Sequence, residues 1–185
     1  FFGDGAINRG PFLESLNWAR VYELPVLFVC EDNRWSATTA SGTMTAGDGA
    51  SARALSLDIP AVKVDGNDVL AVHAAAAALV QQVRSGLGPR LLHALTYRVK
   101  GHVSIDLAAY REAAELEEAL RTDPIARARA RYLALPEADA QTLETIDREA
   151  HAEVEAALAA AEAAPWPDAA AAFTDVQTTG AGQWR

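Results

Sequence analysis

Cysteine is almost absent from the sequence, which contains a single copy, Cys30, inside an apolar run. A lone cysteine among apolar residues favours a buried core side chain over a disulfide or a metal ligand. Reduced thiols are typical of the cytoplasm, so we expect a cytoplasmic protein. The chain has one methionine, Met44, and none at its first position. We therefore expect a fragment of a longer subunit, in which Phe1 and Phe2 are the last residues of a strand.

Clustered positive charge is also missing, since the formal net charge is -9 at pH 7. Nucleic-acid backbones are held by clustered lysine and arginine, whereas the densest basic stretch, residues 121–131, alternates arginine with alanine. No apolar run reaches the roughly 18 residues that a membrane-spanning helix needs, and the start has no signal-peptide pattern. We therefore expect no nucleic-acid partner, no membrane span and no secretion.

Strand and helix patterns alternate through the first part of the chain. Gly10 and Pro11 predict a helix start, and the apolar residues after them have helical spacing. The unbroken apolar run at residues 25–30 predicts a parallel strand that is covered on both faces. The pattern then repeats as strand, helix and strand at residues 61–64, 69–83 and 90–99. This alternation predicts an α/β fold with a doubly wound parallel sheet.

Beyond Gly101 the composition changes to alanine, glutamate and arginine, and no further strand is predicted. Asp123 followed by Pro124 predicts a helix start with a carboxylate cap. Residues 136–164 have a helical pattern with one apolar face, which needs a partner surface. We therefore predict three parts: an α/β domain at residues 1–106, a helical extension at 107–164 and a C-terminal tail at 165–185.

Polar side chains follow the first two predicted strands. Asp4 lies between Gly3 and Gly5, and Asp32 and Asn33 follow the apolar run of the second strand. Ligands of parallel α/β sheets bind outside the carboxyl ends of the strands, and neighbouring strands lie about 5 Å apart. Carboxylate and amide oxygens suit Mg²⁺, whose coordination is usually completed by water and phosphate. The pattern predicts a magnesium and diphosphate site at this edge, although Gly-Asp-Gly alone is a common turn.

The stretch GDGAINRGPFLESLNWARVYELPVLFVCEDNRWS resembles the signature of thiamine-diphosphate enzymes, in which Gly-Asp-Gly is followed by Asn after a helix and a strand. More narrowly, it is similar to the alpha subunit of the decarboxylating component of pyruvate, branched-chain 2-oxo acid and acetoin dehydrogenases. TYRVKGHVSID resembles the histidine loop of that family, and AAYREAAELEEALRTDPIARAR resembles its Tyr-Arg and Asp-Pro-Ile segment. Together these matches cover most of residues 1–132.

The resemblance implies roles for individual residues. Asp4 and Asn33 would give side-chain oxygens to Mg²⁺, and Trp35 would give its backbone carbonyl. His102 matches the loop histidine that reaches the cofactor and closes the site. The residues implied to bind thiamine diphosphate are Gly3, Asp4, Gly5, Ala6, Asn33, Trp35 and His102. The remaining histidines, His73, His93 and His151, lie in helix and strand patterns and are predicted to be core or surface residues.

Three positions depart from the family pattern. Asp32 stands where the family usually has asparagine, so it either adds a carboxylate near the metal or only orients the turn. Lys100 stands where the pyruvate enzymes carry another histidine, so their substrate chemistry is not implied. Val103 stands where mitochondrial relatives carry a phosphorylated serine, so regulation at that position is not implied.

The resemblance implies oxidative decarboxylation of a 2-oxo acid, with transfer of the acyl group to a lipoyl domain. It also implies a beta subunit, which supplies the activating glutamate, in an alpha2beta2 heterotetramer. One alternative is another thiamine-diphosphate enzyme of the transketolase or acetolactate synthase kind, against which the TYRVKGH and Asp-Pro-Ile segments argue. The other is a noncatalytic assembly subunit of the same fold, against which Asp4, Asn33 and His102 argue.

Overall fold

The structure is a computed structural model that describes residues 1–173. The chain forms two compact units, which divide after Pro136. The three-part division at residues 106 and 164 stays a prediction, and residues 174–185 of the predicted tail lie outside the described residues.

Parallel strands form the centre of the first unit. The strands are β1 (Phe2–Gly3), β2 (Leu27–Asp32), β3 (Trp35–Ser36), β4 (Thr39–Ala40), β5 (Ala61–Asp65) and β6 (Arg90–Leu95). The main sheet has the order β1-β2-β6-β5, and all three of its strand pairs are parallel. This confirms the predicted α/β class and its parallel sheet. β3 and β4 form a separate antiparallel pair, which the sequence did not predict.

Two strand boundaries differ from the prediction. β2 begins at Leu27 and continues to Asp32, whereas the prediction placed it at residues 25–30. β6 ends at Leu95, whereas the apolar pattern extended it to residue 99. β6 ends at Leu95 because Arg34 has a φ of 67°, so the chain turns after β2. Residues beyond Leu95 therefore have no strand to pair with.

Six helices surround or follow the sheet. They are α1 (Gly10–Val21), α2 (Gly49–Leu55), α3 (Val69–Arg84), α4 (Ala113–Leu120), α5 (Pro124–Leu133) and α6 (Ala140–Ala163). The predicted cap of α5 is confirmed, because the Asp123 carboxylate accepts a hydrogen bond from the Ala126 amide at 2.8 Å. α6 begins four residues later than the start predicted at Pro136, because Asp139 caps it. α2 was not predicted.

Buried apolar side chains join helices α1 and α2 to the sheet. α1 contributes Phe12 and Leu16, which are four residues apart and so lie on one helix face. The other buried members of this cluster are Ile7, Cys30, Ala50, Ala54, Ile59 and Leu91. The prediction that Cys30 is a core residue is confirmed, and burial raises the pKa of its thiol to about 12.

The second unit contains α6, whose apolar side chains are exposed. Ile146, Val154 and Leu158 each keep more than half of their surface accessible. The helix predicted for this region is therefore present, and these three apolar side chains on it are exposed. No helix of residues 1–173 combines the length and the apolar character needed to cross a bilayer.

The buried face of α1 generates the first prediction. Leu16→Ala removes a fully buried side chain and is expected to lower the free energy of unfolding by about 2–5 kcal/mol. Leu13→Ala on the exposed side of the same helix is the control, with an expected loss below about 1 kcal/mol. Urea unfolding followed by circular dichroism measures both. Equal losses for the two variants would contradict the packing of α1.

Candidate functional site

The carboxyl ends of β1 and β2 lie side by side. Phe2 is in register with Cys30, and Gly3 is in register with Glu31. Asp4 therefore leaves β1 at the same sheet edge where Asn33 follows β2. This is the arrangement predicted from the parallel-strand pattern.

The residues that follow these two strand ends line one cavity of about 360 Å³. Its walls are Gly3, Asp4, Gly5, Ala6, Arg9, Asn33, Trp35, Ser36, Ala37, Arg98 and His102. The structure thus brings together all the residues predicted to bind a cofactor, although their binding role stays a prediction. Arg9 and Arg98 were missed, because an arginine in a loop carries no signal of its own until the fold places it.

Asp4 is the acidic group on the wall of this cavity. Its side chain is 2% exposed, and its Oδ2 accepts a hydrogen bond from the Ser41 hydroxyl. Burial raises the pKa of Asp4, and the nearby Asp32 raises it further, while the Ser41 hydrogen bond opposes both effects. A carboxylate held in this way is stabilised in its ionised form by a cation. Its surroundings therefore fit a metal ligand.

Gly5 allows a close approach between two segments of the site. A Cβ atom at this position would overlap the Ser36 hydroxyl and lie 2.8 Å from the Ser36 Cβ. Any larger residue at position 5 would therefore push the Asp4–Asn8 turn away from β3. The glycine keeps Asp4 and the segment after β2 on the same small cavity.

The turn after β2 presents its oxygens in a defined way. The Asn33 Oδ1 accepts from the Trp35 amide at 3.1 Å, and the Trp35 carbonyl accepts from Arg98 Nη1 at 3.1 Å. Amide and carbonyl oxygens each have two lone pairs, so one on each remains for a cation. Within residues 1–173, no group of three or more His, Cys, Asp or Glu side chains could hold a metal. A metal here would therefore need these neutral oxygens together with water or phosphate.

Asp32 does not line the cavity of about 360 Å³. It lies with His93 on a neighbouring cavity of about 430 Å³, and Asp4 lines both. Its Oδ1 accepts from the Arg34 amide at 3.3 Å within this turn, and its role toward a metal stays a prediction. A hydrogen bond from His93 lowers the pKa of Asp32. His93, predicted to be either a core or a surface residue, is buried, with 2% of its surface exposed.

The loop that carries His102 is held by charged side chains. Arg98 donates to His102 Nδ1 at 3.1 Å and to the Ala37 carbonyl at 2.6 Å. The Asp106 carboxylate accepts from the His102 amide at 2.7 Å and from the Tyr110 hydroxyl at 2.7 Å. These bonds lower the pKa of Asp106 to about 2. Its contribution to loop order is complete above the ordinary pKa of 3.8 and is lost as the pH falls through about 2.

Arg111 closes the same loop from the other side. Its guanidinium donates to the carbonyl of Arg98 and, at 3.0 Å, to that of Lys100. It also lies over the Trp35 ring at 5.2 Å and over the Tyr110 ring at 5.6 Å. The loop is therefore tied to the turn after β2 by an arginine on each side.

The parallel sheet and the cavity at its carboxyl edge define an α/β protein with a strand-end ligand site. Residues 1–170 match the family described as Dehydrogenase E1 component, and the chain belongs to this family.

Three relatives illustrate the range of the family. The alpha subunit of acetoin:2,6-dichlorophenolindophenol oxidoreductase of Cupriavidus necator is 42% identical over 177 residues, covering 95% of this chain and 53% of the relative. The pyruvate dehydrogenase E1 component subunit alpha of Rhizobium meliloti is 39% identical over 178 residues, covering 95% and 51%. The 2-oxoisovalerate dehydrogenase subunit alpha of Bacillus subtilis is 38% identical over 125 residues, covering 67% and 38%. The chain spans about half the length of the first two relatives and 38% of the length of the third.

Asp106 generates a prediction about loop order. Asp106→Asn replaces one of the accepting oxygens with an amide, so the His102 and Ala108 amides lose their ionised acceptor. We expect hydrogen exchange at these two amides to become faster by on the order of tenfold. Ser104→Ala, at an exposed position of the same loop, is the control and should leave both rates unchanged. Unchanged protection in Asp106→Asn would show that the carboxylate does not order the loop.

Proposed function

We propose that this chain is the cofactor-binding part of the alpha subunit of a 2-oxo acid dehydrogenase. The enzyme would use thiamine diphosphate and Mg²⁺ to decarboxylate a 2-oxo acid oxidatively and to transfer the acyl group to a lipoyl domain. The observation that carries the proposal is the single cavity on which Asp4, Asn33, Trp35 and His102 lie together. The names of the relatives support this reaction over those of transketolase or acetolactate synthase.

The metal ligands would be the Asp4 carboxylate, the Asn33 side-chain oxygen and the Trp35 carbonyl. All three are oxygens, and they provide one negative charge, as suits Mg²⁺ with a diphosphate and water completing its shell. The raised pKa of Asp4 supports this role, because a buried acid without a cation is disfavoured in its charged form. Binding of the metal and of the diphosphate would therefore depend on each other.

The diphosphate would lie against the backbone of Gly3, Gly5 and Ala6. These residues belong to β1 and to the 3₁₀ turn at Asp4–Asn8, which leads directly into α1. Backbone N–H groups at such a turn are suited to phosphate oxygens. Arg9 lines the same cavity and would add a positive charge that complements the diphosphate.

When bound, thiamine diphosphate supplies the stabilisation of the carbanion that decarboxylation requires. The protein would hold the cofactor, exclude water and position a proton donor. His102 is that donor in our proposal. Arg98 only donates, so Nδ1 of His102 accepts from it and a neutral ring carries its proton on Nε2. The loop bonds of Asp106 would keep this ring at the mouth of the site.

The proposed active site includes a second chain. The relatives are named as alpha subunits, which supports a beta subunit as partner. We propose that the beta subunit supplies the glutamate that activates the cofactor, in an alpha2beta2 assembly located in the cytoplasm. The names of the relatives include acetoin, pyruvate and 2-oxoisovalerate, so the substrate is a 2-oxo acid or acetoin.

Removal of the Asp4 carboxylate tests the proposal. In the alpha subunit assembled with its partner, Asp4→Ala is expected to weaken Mg²⁺-dependent binding of thiamine diphosphate by at least about 100-fold. Loss of a residue that only hydrogen-bonds to a metal ligand costs about 10–100-fold, so loss of a ligand itself is expected to cost at least the upper end of this range. Isothermal titration calorimetry measures the affinity.

Glu117→Ala, at an exposed position of α4, is the control for this measurement and should bind the cofactor as the unaltered protein does. An Asp4→Ala variant that is folded and keeps its affinity would refute the assignment of Asp4 as a ligand.

A further inference from the structure

A buried histidine lies directly behind the proposed cofactor site. His93 of β6 is in register with Cys30 of β2 and is 2% exposed. Both nitrogens of its ring have partners: Nδ1 lies 2.9 Å from the Ser51 hydroxyl, and Nε2 lies 2.9 Å from Asp32 Oδ2. An ionised carboxylate only accepts hydrogen bonds, so Nε2 donates to Asp32. A neutral ring then accepts from Ser51 at Nδ1.

Helix α2 holds this ring in one orientation. Ser51 is buried in its first turn, and Gly49 at its start has a φ of 64°. A Cβ atom on Gly49 would lie 3.2 Å from His93 Cε1, so the start of the helix fits closely over the ring. The imidazole therefore has little freedom to turn away from Asp32.

Asp32 connects the fixed ring of His93 to the turn that carries the proposed metal ligands. One of its oxygens accepts from His93, and the other accepts from the Arg34 amide at 3.3 Å. Its backbone carbonyl accepts from the Thr96 amide at 2.8 Å. The next residue is Asn33. Asp32 is thus held at three points immediately before the side chain that lines the cavity of about 360 Å³.

The same link holds the Asp32 carboxylate on the neighbouring cavity rather than on the wall of the cavity of about 360 Å³. Among the described residues on its wall, Asp4 alone is acidic, because Asp32 faces the neighbouring cavity with His93. A further carboxylate beside a diphosphate would repel it. The hydrogen bond from His93 gives the Asp32 carboxylate a partner in its position on the neighbouring cavity.

We propose that His93 is a positioning residue of the cofactor site, which acts by holding Asp32 so that Asn33 and Trp35 present their oxygens to the metal. This inference rests on the proposed function. It concerns how the ligands are arranged, and His93 itself touches neither metal nor cofactor.

Two substitutions separate the two bonds of the ring. His93→Gln places an amide nitrogen near the position of Nε2 and can still donate to Asp32. His93→Asn is shorter, reaches the position of Nδ1 and loses Asp32. Ser51→Ala is the matched control, because it removes the other buried hydrogen bond of the same ring and leaves the bond to Asp32 in place.

The assembled alpha and beta subunits are titrated with thiamine diphosphate in the presence of Mg²⁺. We expect His93→Asn to weaken binding roughly 10–100-fold, as is typical of an outer partner of a metal ligand. The affinities of His93→Gln and Ser51→Ala for thiamine diphosphate should stay within about threefold of that of the unaltered enzyme, a smaller change than the 10–100-fold expected for His93→Asn. Hydrogen exchange of the Arg34 and Trp35 amides, measured without cofactor, should become faster in His93→Asn alone.

Equal affinities for all the variants, or a loss in His93→Gln and Ser51→Ala as large as that in His93→Asn, would overturn the proposal, since His93 would then only support the core. If the His93 variants do not fold, Asp32→Ala replaces them and should show the same weakening, while an unchanged affinity would overturn the proposal. Failure of the unaltered enzyme to bind thiamine diphosphate would instead refute the proposed function. The amide exchange would still report whether His93 holds the turn.

Discussion

The parallel pairing of β1 with β2 is the constraint on which the rest of the site depends. β1 contributes only Phe2 and Gly3 to the sheet, yet their register with Cys30 and Glu31 decides where Asp4 lies. The ring of Phe2 packs against that of Phe12 in α1, with the two ring centroids 5.1 Å apart, which connects this short strand to the buried cluster. A shift of one residue would reverse the faces of β1 and turn Asp4 away from the cavity.

Positively charged side chains lie next to the buried carboxylate at this sheet edge. The chain as a whole carries a formal charge of -9, but Arg9 and Arg98 lie on the cavity wall beside the single carboxylate of Asp4. Arg98 donates to both the Trp35 carbonyl and His102 Nδ1, so this one arginine connects the turn after β2 to the histidine loop. The arrangement suits an anionic ligand that arrives together with a divalent cation.

The fold class, the presence of the parallel strands and the core position of Cys30 could be predicted, because continuous apolar runs and helix caps are local signals. The β3–β4 hairpin and α2 could not, because the segment after Trp35 is rich in small polar residues and has no periodicity. The bonds from Ser41 to Asp4 and from His93 to Asp32 join positions 37 and 61 residues apart, which only the fold brings together. Asp4 and Asn33 were predicted from their positions after two strands, whereas Trp35 and His102 came from the family resemblance. β6 was predicted too long because its apolar pattern extends beyond the end of its partner strand.

The location of a bound metal tests the central claim most directly. Crystals of the assembled enzyme, grown with thiamine diphosphate and Mn²⁺ in place of Mg²⁺, would show the metal by its anomalous scattering. The account predicts one peak at roughly 2.1 Å from oxygens of Asp4, Asn33 and Trp35, with the diphosphate on the same ion. A peak that none of these three residues contacts, beside an ordered cofactor, would contradict it.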